Sequence, residues 1–290
     1  MYADLLRILA TQPRHLGGAS EKMTADLPSF DAPPVNETVL GVEFSPIAKW
    51  SIPHFGLLWG RIRDEYPRCD VKPPLARQDE VFGDARIPKL GLRAIELELL
   101  QQPEVRCWYQ DADERRLLQV QADRFIHNWR KQGTPDVYPR YEKIRATFER
   151  EWARFQDFAA AEQLGPIAVA QCEVTYVNHF EKGREWNSLS DLPKVVTFWN
   201  GAPSTQPAPE SVQTVMSFVR DSTRLRVQLQ HAMRADLKEI VVFTLSARGK
   251  PHGEKPQDIL GWMDAARAWI VNSFAEFTTP AMHQLWKRRS

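Results

Sequence analysis

Cysteine is scarce: Cys69, Cys107 and Cys172 are the three in 290 residues. Their wide spacing excludes a CxxC redox or metal pair, and an odd set of isolated thiols reads as free cysteines in a reducing compartment. An excess of one charge sign is also missing. Lys+Arg is 38 against Asp+Glu 37, a formal net charge of +1, so no global field draws the chain to nucleic acid or an anionic membrane. No stretch approaches the roughly 20 apolar residues of a spanning helix. Asp4 and Arg7 interrupt the apolar start Met1–Leu9, so it does not read as a signal peptide. Gly-rich phosphate loops, a GxSxG elbow and a kinase signature set are absent. His54, His127, His179, His231, His252 and His283 lie scattered without HxH or HExxH spacing. A metal site would have to be composite, and nothing calls for a cofactor. A cytoplasmic chain without membrane contact is expected.

What is abundant is Pro (21) and Trp (10). Residues before Pro33 are rich in Gly, Ser, Ala and Pro and predict an arm or linker, residues 1–32, outside the core. Glu37–Phe44 alternates as a half-buried strand. Ser51-Ile52-Pro53 starts a helix whose apolar face carries Phe55, Leu58, Trp59 and Ile62. Residues 69–103 resist assignment, with Leu92–Leu100 readable as strand or helix. Val105–Tyr109 and Leu117 onward predict a hairpin, and Tyr141–Phe158 a long amphipathic helix. The remainder reads as a strand at Ile167–Phe180, a hairpin Val212–Val219/Leu225–Met233, a strand Ile240–Ala247 and a last long helix capped by Asp258. Thr278-Thr279-Pro280 breaks that helix before a short tail helix.

Strands come in antiparallel runs, each followed by one long helix. The expected class is α+β, with antiparallel sheets each packed by a long amphipathic helix. The domain reading is a first half over residues 33–165 and a second over 166–290, separate or as one continuous domain. The halves also rhyme: Arg116-Leu117-Leu118-Gln119-Val120-Gln121 is echoed by Arg224-Leu225-Arg226-Val227-Gln228-Leu229. A duplication and a coincidence of period-two patterning both explain this.

Several segments together resemble a sporadically distributed family of uncharacterised prokaryotic proteins. They are Pro33-Pro34-Val35-Asn36-Glu37 running into Val42-Glu43-Phe44; Leu118–Gln121 with Arg124, Asn128 and Trp129; and Tyr138-Pro139-Arg140-Tyr141. Cys172–Asn178, then Phe274–Thr279 with Trp286, complete the ordered set. The resemblance covers most of the chain from Pro33 onward and implies no activity, cofactor or catalytic residue. Its patchy distribution would suit an accessory of a defence or toxin–antitoxin-like locus.

Two segments carry polar side chains in strand context. If Leu117–Trp129 is one strand, Gln119, Gln121, Asp123, Phe125, His127 and Trp129 share a face, and Arg124 and Asn128 lie on the other. A kink near Asp123 would scramble that division. In Gln171–Phe180, Tyr176 and Asn178 share one face and Glu173 and His179 the other. The candidate ligand-binding set is therefore Gln119, Gln121, Asp123, Arg124, His127, Asn128, Trp129, Glu173, Tyr176, Asn178 and His179. The plain alternative is a solvated sheet face with ordinary cross-strand pairs. Arg124 needs an anion if buried, and Glu173 is the expected partner. Asp123, His127, Glu173 and His179 could do acid–base work only if the fold brings them together.

Phe125–Lys131 interleaves aromatic and basic residues, which would suit nucleic acid, but the balanced charge argues against it. The aromatic helical stripes read as core. The functional expectation is a cytoplasmic binding or interaction protein with a protein or small-molecule partner. An enzyme at the four acid–base candidates and a nucleic-acid binder are the rival readings. A closed pocket between sheet and helix would favour a small molecule.

Overall fold

Among the described residues nine strands form, and all nine join one sheet. The computed structural model describes residues 27–77, 79–80, 82, 105–133 and 136–289. In chain order the elements are β1 (Val35–Phe44), α1 (Ile52–Ile62), β2 (Arg68–Lys72), β3 (Arg106–Gln110), β4 (Arg116–Gln121), β5 (Arg124–Arg130) and α2 (Tyr141–Ala161). Then follow β6 (Val169–Glu181), a 3-10 turn at Leu189–Lys194, β7 (Gln213–Arg220), β8 (Thr223–Met233), β9 (Glu239–Gly249), α3 (Pro256–Phe277) and α4 (Pro280–Leu285). The strand order is β2-β3-β4-β5-β1-β6-β9-β8-β7, antiparallel throughout. The class is α+β. In place of separate sheets there is one, because β1 pairs with β6 and carries the sheet across residue 165. Outward from this central pair run β5-β4-β3-β2 on one side and β9-β8-β7 on the other.

Alternation gives the sheet two unlike faces. One presents Leu40, Val42, Phe44, Val120, Phe125, Val174, Phe243 and Leu245, all buried. The rings of α2 meet this face: Trp152 lies 6.0 Å from Phe44 and 5.6 Å from Phe125, and Phe155 lies 5.2 Å from Phe125. Phe274 of α3 reaches Phe243 at 6.1 Å. Trp286, just after α4, stacks on Phe180 at 5.3 Å. The other face is polar, and the segment after β2 crosses it. Leu75 N–H donates to Gln121 Oε1 (2.9 Å), Glu80 N–H to Gln171 Oε1 (3.3 Å), and Arg224 Nε to Glu80 Oε2 (2.6 Å). No helix of the described residues is long and apolar enough to cross a membrane.

The boundary expected at Pro33 moves. Phe30 is 5% exposed and belongs to the core, edge-to-face with Phe274 at 5.6 Å and Trp286 at 6.2 Å. Asp31 N–H and Ala32 N–H donate to the carbonyls of Lys287 and Trp286, and Arg289 N–H donates to Ser29 O. Residues 29–32 thus tie down the C-terminal end, while residues 1–26 of the expected arm lie outside the described residues. Phe30→Ala should cost about 3 kcal/mol, the low end for a buried ring. A thermal melt checks this; an unchanged midpoint would return Phe30 to the arm.

The last helix also begins differently. Its N-cap is Lys255, and Asp258 sits one turn in, its Oδ2 accepting from Lys255 N–H at 3.2 Å. Leu92–Leu100 lies outside the described residues.

Candidate functional site

Leu117–Trp129 is two strands. Ala122 and Asp123 form a two-residue turn, so Gln121 pairs with Arg124 and Gln119 with Ile126. The turn reverses the face division expected of one continuous strand. Gln119, Gln121, Arg124 and Asn128 share the polar face, and His127 and Trp129 face the helices with Leu118 and Val120. The expected grouping of both glutamines with His127 and Trp129 is corrected, as is a single aromatic and basic surface over Phe125–Lys131. Phe125 and Trp129 are buried on the helix face.

On the polar face the candidates satisfy one another. Arg106 Nη1 and Trp108 Nε1 donate to Gln119 Oε1 at 2.8 and 3.0 Å. Gln119 Nε2 donates to Asn128 Oδ1 (2.8 Å), and Asn128 Nδ2 to Glu37 Oε1 (2.6 Å). Burial, the largest influence, holds the Glu37 carboxyl above its usual range. Arg124 is 2% exposed. Its partners are Asp123, with Nε–Oδ1 at 3.1 Å, and Glu43, with Nη1–Oε1 at 3.8 Å. The expected direct pair with Glu173 is corrected: β1 stands between β5 and β6, and Glu173 Oε2 meets Arg248 Nη2 at 2.5 Å. Arg248 also lies 3.9 Å from Glu43, whose Oε2 accepts from Gln171 Nε2 at 2.8 Å. Sequence reasoning missed Glu43, Gln171 and Arg248. Their parity with Glu173 on alternating strands is the available signal, but it needs the strand order to be read.

The four acid–base candidates do not converge. Asp123 and Glu173 belong to the polar-face network, His179 lies on the same face farther along β6, and His127 is on the opposite face. His127 is 1% exposed, its Nδ1 has no hydrogen-bond partner, and burial pushes the imidazole down to about 3. It shares a hollow of about 330 Å³ with Trp129, Asp111, Arg116 and Lys143. Burial likewise lowers His179 to about 4. Among the described residues, no group of three or more His, Cys, Asp or Glu could hold a metal ion.

The His127 shift fixes a pH dependence. The folded-state value lies below the unfolded value of about 6.5, so the folded chain prefers neutral imidazole. Above pH 6.5 both states are neutral and nothing is lost. Below it the unfolded state gains the proton first, and stability falls by about 1.4 kcal/mol per pH unit until about pH 3. His179 adds a loss of the same sign over a narrower window. In His127→Phe the fall in melting midpoint from about pH 7 to about pH 5 should be smaller than in the native chain. Equal falls would refute the assignment.

Tyr176 and Asn178 lead elsewhere. Both line a cavity of about 150 Å³ beneath the N-terminus of α2, beside α3 and the Pro28–Phe30 segment. Val35, Leu245, Ile270 and Phe274 give it apolar walls. Tyr138 and Tyr176 share a hydroxyl–hydroxyl hydrogen bond of 3.1 Å. Burial raises both phenols above their ordinary range, so they are neutral donors. Asn178 is 1% exposed; its Nδ2 donates to Phe243 O at 3.0 Å and its Oδ1 has no partner. Arg267 lies 5.0 Å over the Tyr141 ring, and its buried Nε is also unpartnered. Arg140 holds φ 78 and ψ 151 and donates through Nη1 to Phe30 O at 2.8 Å. That conformation costs a non-glycine residue about 1–3 kcal/mol and is found where surroundings enforce it, often at binding sites. Tyr138, Arg140 and Arg267 are not among the sequence candidates, since loop and helix residues carry no alternation to reveal that they converge.

No family model matches the chain, and no curated protein matches it.

Proposed function

We propose that this chain is a binding protein that holds a small organic ligand in the cavity between the sheet centre and the two long helices. The observation that carries this reading is the pair of buried, unpartnered polar atoms at the cavity, Asn178 Oδ1 and Arg267 Nε, set among apolar walls. Buried polar groups are ordinarily paired, and leaving one unpaired costs about 1–3 kcal/mol. A concave, mainly apolar site with a few convergent polar groups is the usual form of a small-molecule pocket. The polar face serves this reading less well, because its side chains are partnered within the sheet.

Two repeated halves fit the same reading. The parallel strand orders β1-β5-β4-β3 and β6-β9-β8-β7 support them. So does the position of the rhyming segments, which fall in β4 and β8, each the middle strand of a three-strand meander. The cavity then falls at the seam between halves, where β1 meets β6. A cytoplasmic accessory role in a defence or toxin–antitoxin-like locus, as the resemblance implies, is compatible with ligand sensing.

The test is a fragment collection of small organic compounds screened by saturation-transfer NMR against the native chain and Val271→Trp, which fills the cavity from its half-buried rim. Hits lost in the variant are expected. Hits that bind both alike would place the ligand elsewhere and defeat the proposal.

A further inference from the structure

Resting on the cavity reading, we infer that the ligand is a compact organic acid. Its carboxylate is received by Arg140, Arg267 and the N-terminus of α2, and a neutral hydrogen-bond donor next to it meets Asn178 Oδ1.

Two independent features point to an anion. Two guanidinium side chains line one small cavity. Helix α2 runs for 21 residues, no side chain caps its start, and Tyr141 and Glu142 of its first turn line the cavity, so the positive end of its dipole lies beside it. The acidic side chain at the cavity, Glu142, is 70% exposed and lies 3.5 Å from Arg267, so it screens the site weakly. Asn178 Oδ1 is the opposite kind of group, a buried acceptor that needs a donor. The nearby guanidinium groups disfavour an ammonium there, so a hydroxyl or amide N–H fits best. The apolar walls from Val35, Leu245, Ile270 and Phe274 would take a short branched hydrocarbon tail. The combination describes a hydroxy acid of modest size rather than an amino acid.

Isothermal titration of the full chain with four probes of one carbon skeleton tests this: racemic leucate, isocaproate, L-leucine and L-leucinamide. Leucate should bind at least about tenfold more tightly than leucinamide, which lacks the carboxylate, and several-fold more tightly than isocaproate, which lacks the donor. L-Leucine should bind less well than leucate. Arg267→Met and Arg140→Gly should each weaken leucate about tenfold or more and leave leucinamide unchanged. The glycine variant also relieves the backbone at position 140, so it should fold, and circular dichroism confirms that for both. Leucinamide binding as well as leucate, or no acid binding at all, overturns the inference. If the probes bind alike and all are lost in Val271→Trp, the acid assignment fails while the cavity stands as a ligand site for another class. If leucate binds Val271→Trp as it binds the native chain, the cavity reading itself fails.

Discussion

Trp152→Ala should lower stability by about 4–5 kcal/mol, the largest loss expected from any single truncation in α2. The indole is 3% exposed. It stacks on Phe155 at 5.6 Å and 22° and bridges Phe44 of β1 to Phe125 of β5. Removing it takes away a large apolar surface and leaves a cavity that three rings cannot fill, since Phe44, Phe125 and Phe155 are held by their own elements. The indole Nε1 has no hydrogen-bond partner. Trp152→Phe therefore orphans no other group and removes an unsatisfied donor, so it should cost well under half as much as the alanine change. Urea denaturation of both variants checks this. Equal losses would mean that ring volume is not what matters at this site, and an unaffected midpoint would mean that the helix does not bear on the sheet.

Arg124→Met should cost roughly 3–5 kcal/mol, for a different reason. The guanidinium is nearly inaccessible and cannot discharge, and it answers both Asp123 and Glu43. Its loss leaves Glu43 with Arg248 at 3.9 Å and the amide of Gln171. Glu43 is already held above its usual carboxyl range, chiefly by burial, with Arg124 the largest opposing influence. Without Arg124 the carboxyl should be pushed further up, since the largest influence that lowers it is gone. Glu43→Gln in the Arg124→Met background should then recover part of the loss, giving a sum of single effects larger than the double effect. Glu173→Gln should couple to Arg124→Met far more weakly, because Arg248 and Glu43 stand between them. Strong coupling of Arg124 to Glu173 with none to Glu43 would contradict the geometry.

The register of these charges separates what is legible in the sequence from what is not. The β7–β8 hairpin and the start of α2 can be read to within a residue or two, because alternation and a 3.6-residue stripe are local signals. The β4–β5 turn cannot. Ala122-Asp123 carries no glycine and interrupts no apolar run, so Leu117–Trp129 passes for one strand and the faces of His127 and Trp129 are exchanged. The Arg124–Glu173 pairing fails for a non-local reason: parity gives a face, but neighbours depend on strand order, and β1 intervenes. β2 is hidden because its five residues are mostly exposed and lack an apolar face. Of the cavity, Tyr176 and Asn178 can be suspected from alternation alone; Arg140 and Arg267 acquire meaning only once α2 and α3 are brought to the same strands.

The pairing of β1 with β6 also sets the order in which the chain can assemble. β4–β5 and β7–β8–β9 are joined by short turns and close locally, whereas Leu40 must find Val174 and Val42 must find Cys172 across the intervening chain. Contacts so distant along the sequence repay their loop-closure entropy late, so the middle of the sheet is expected to close after the local hairpins. The cavity spans that same seam. Val35, Tyr138 and Arg140 come from one side and Tyr176, Leu245 and Arg267 from the other. Ligand occupancy would thus report completed assembly, and a fragment ending after α2 would hold part of one wall and no site.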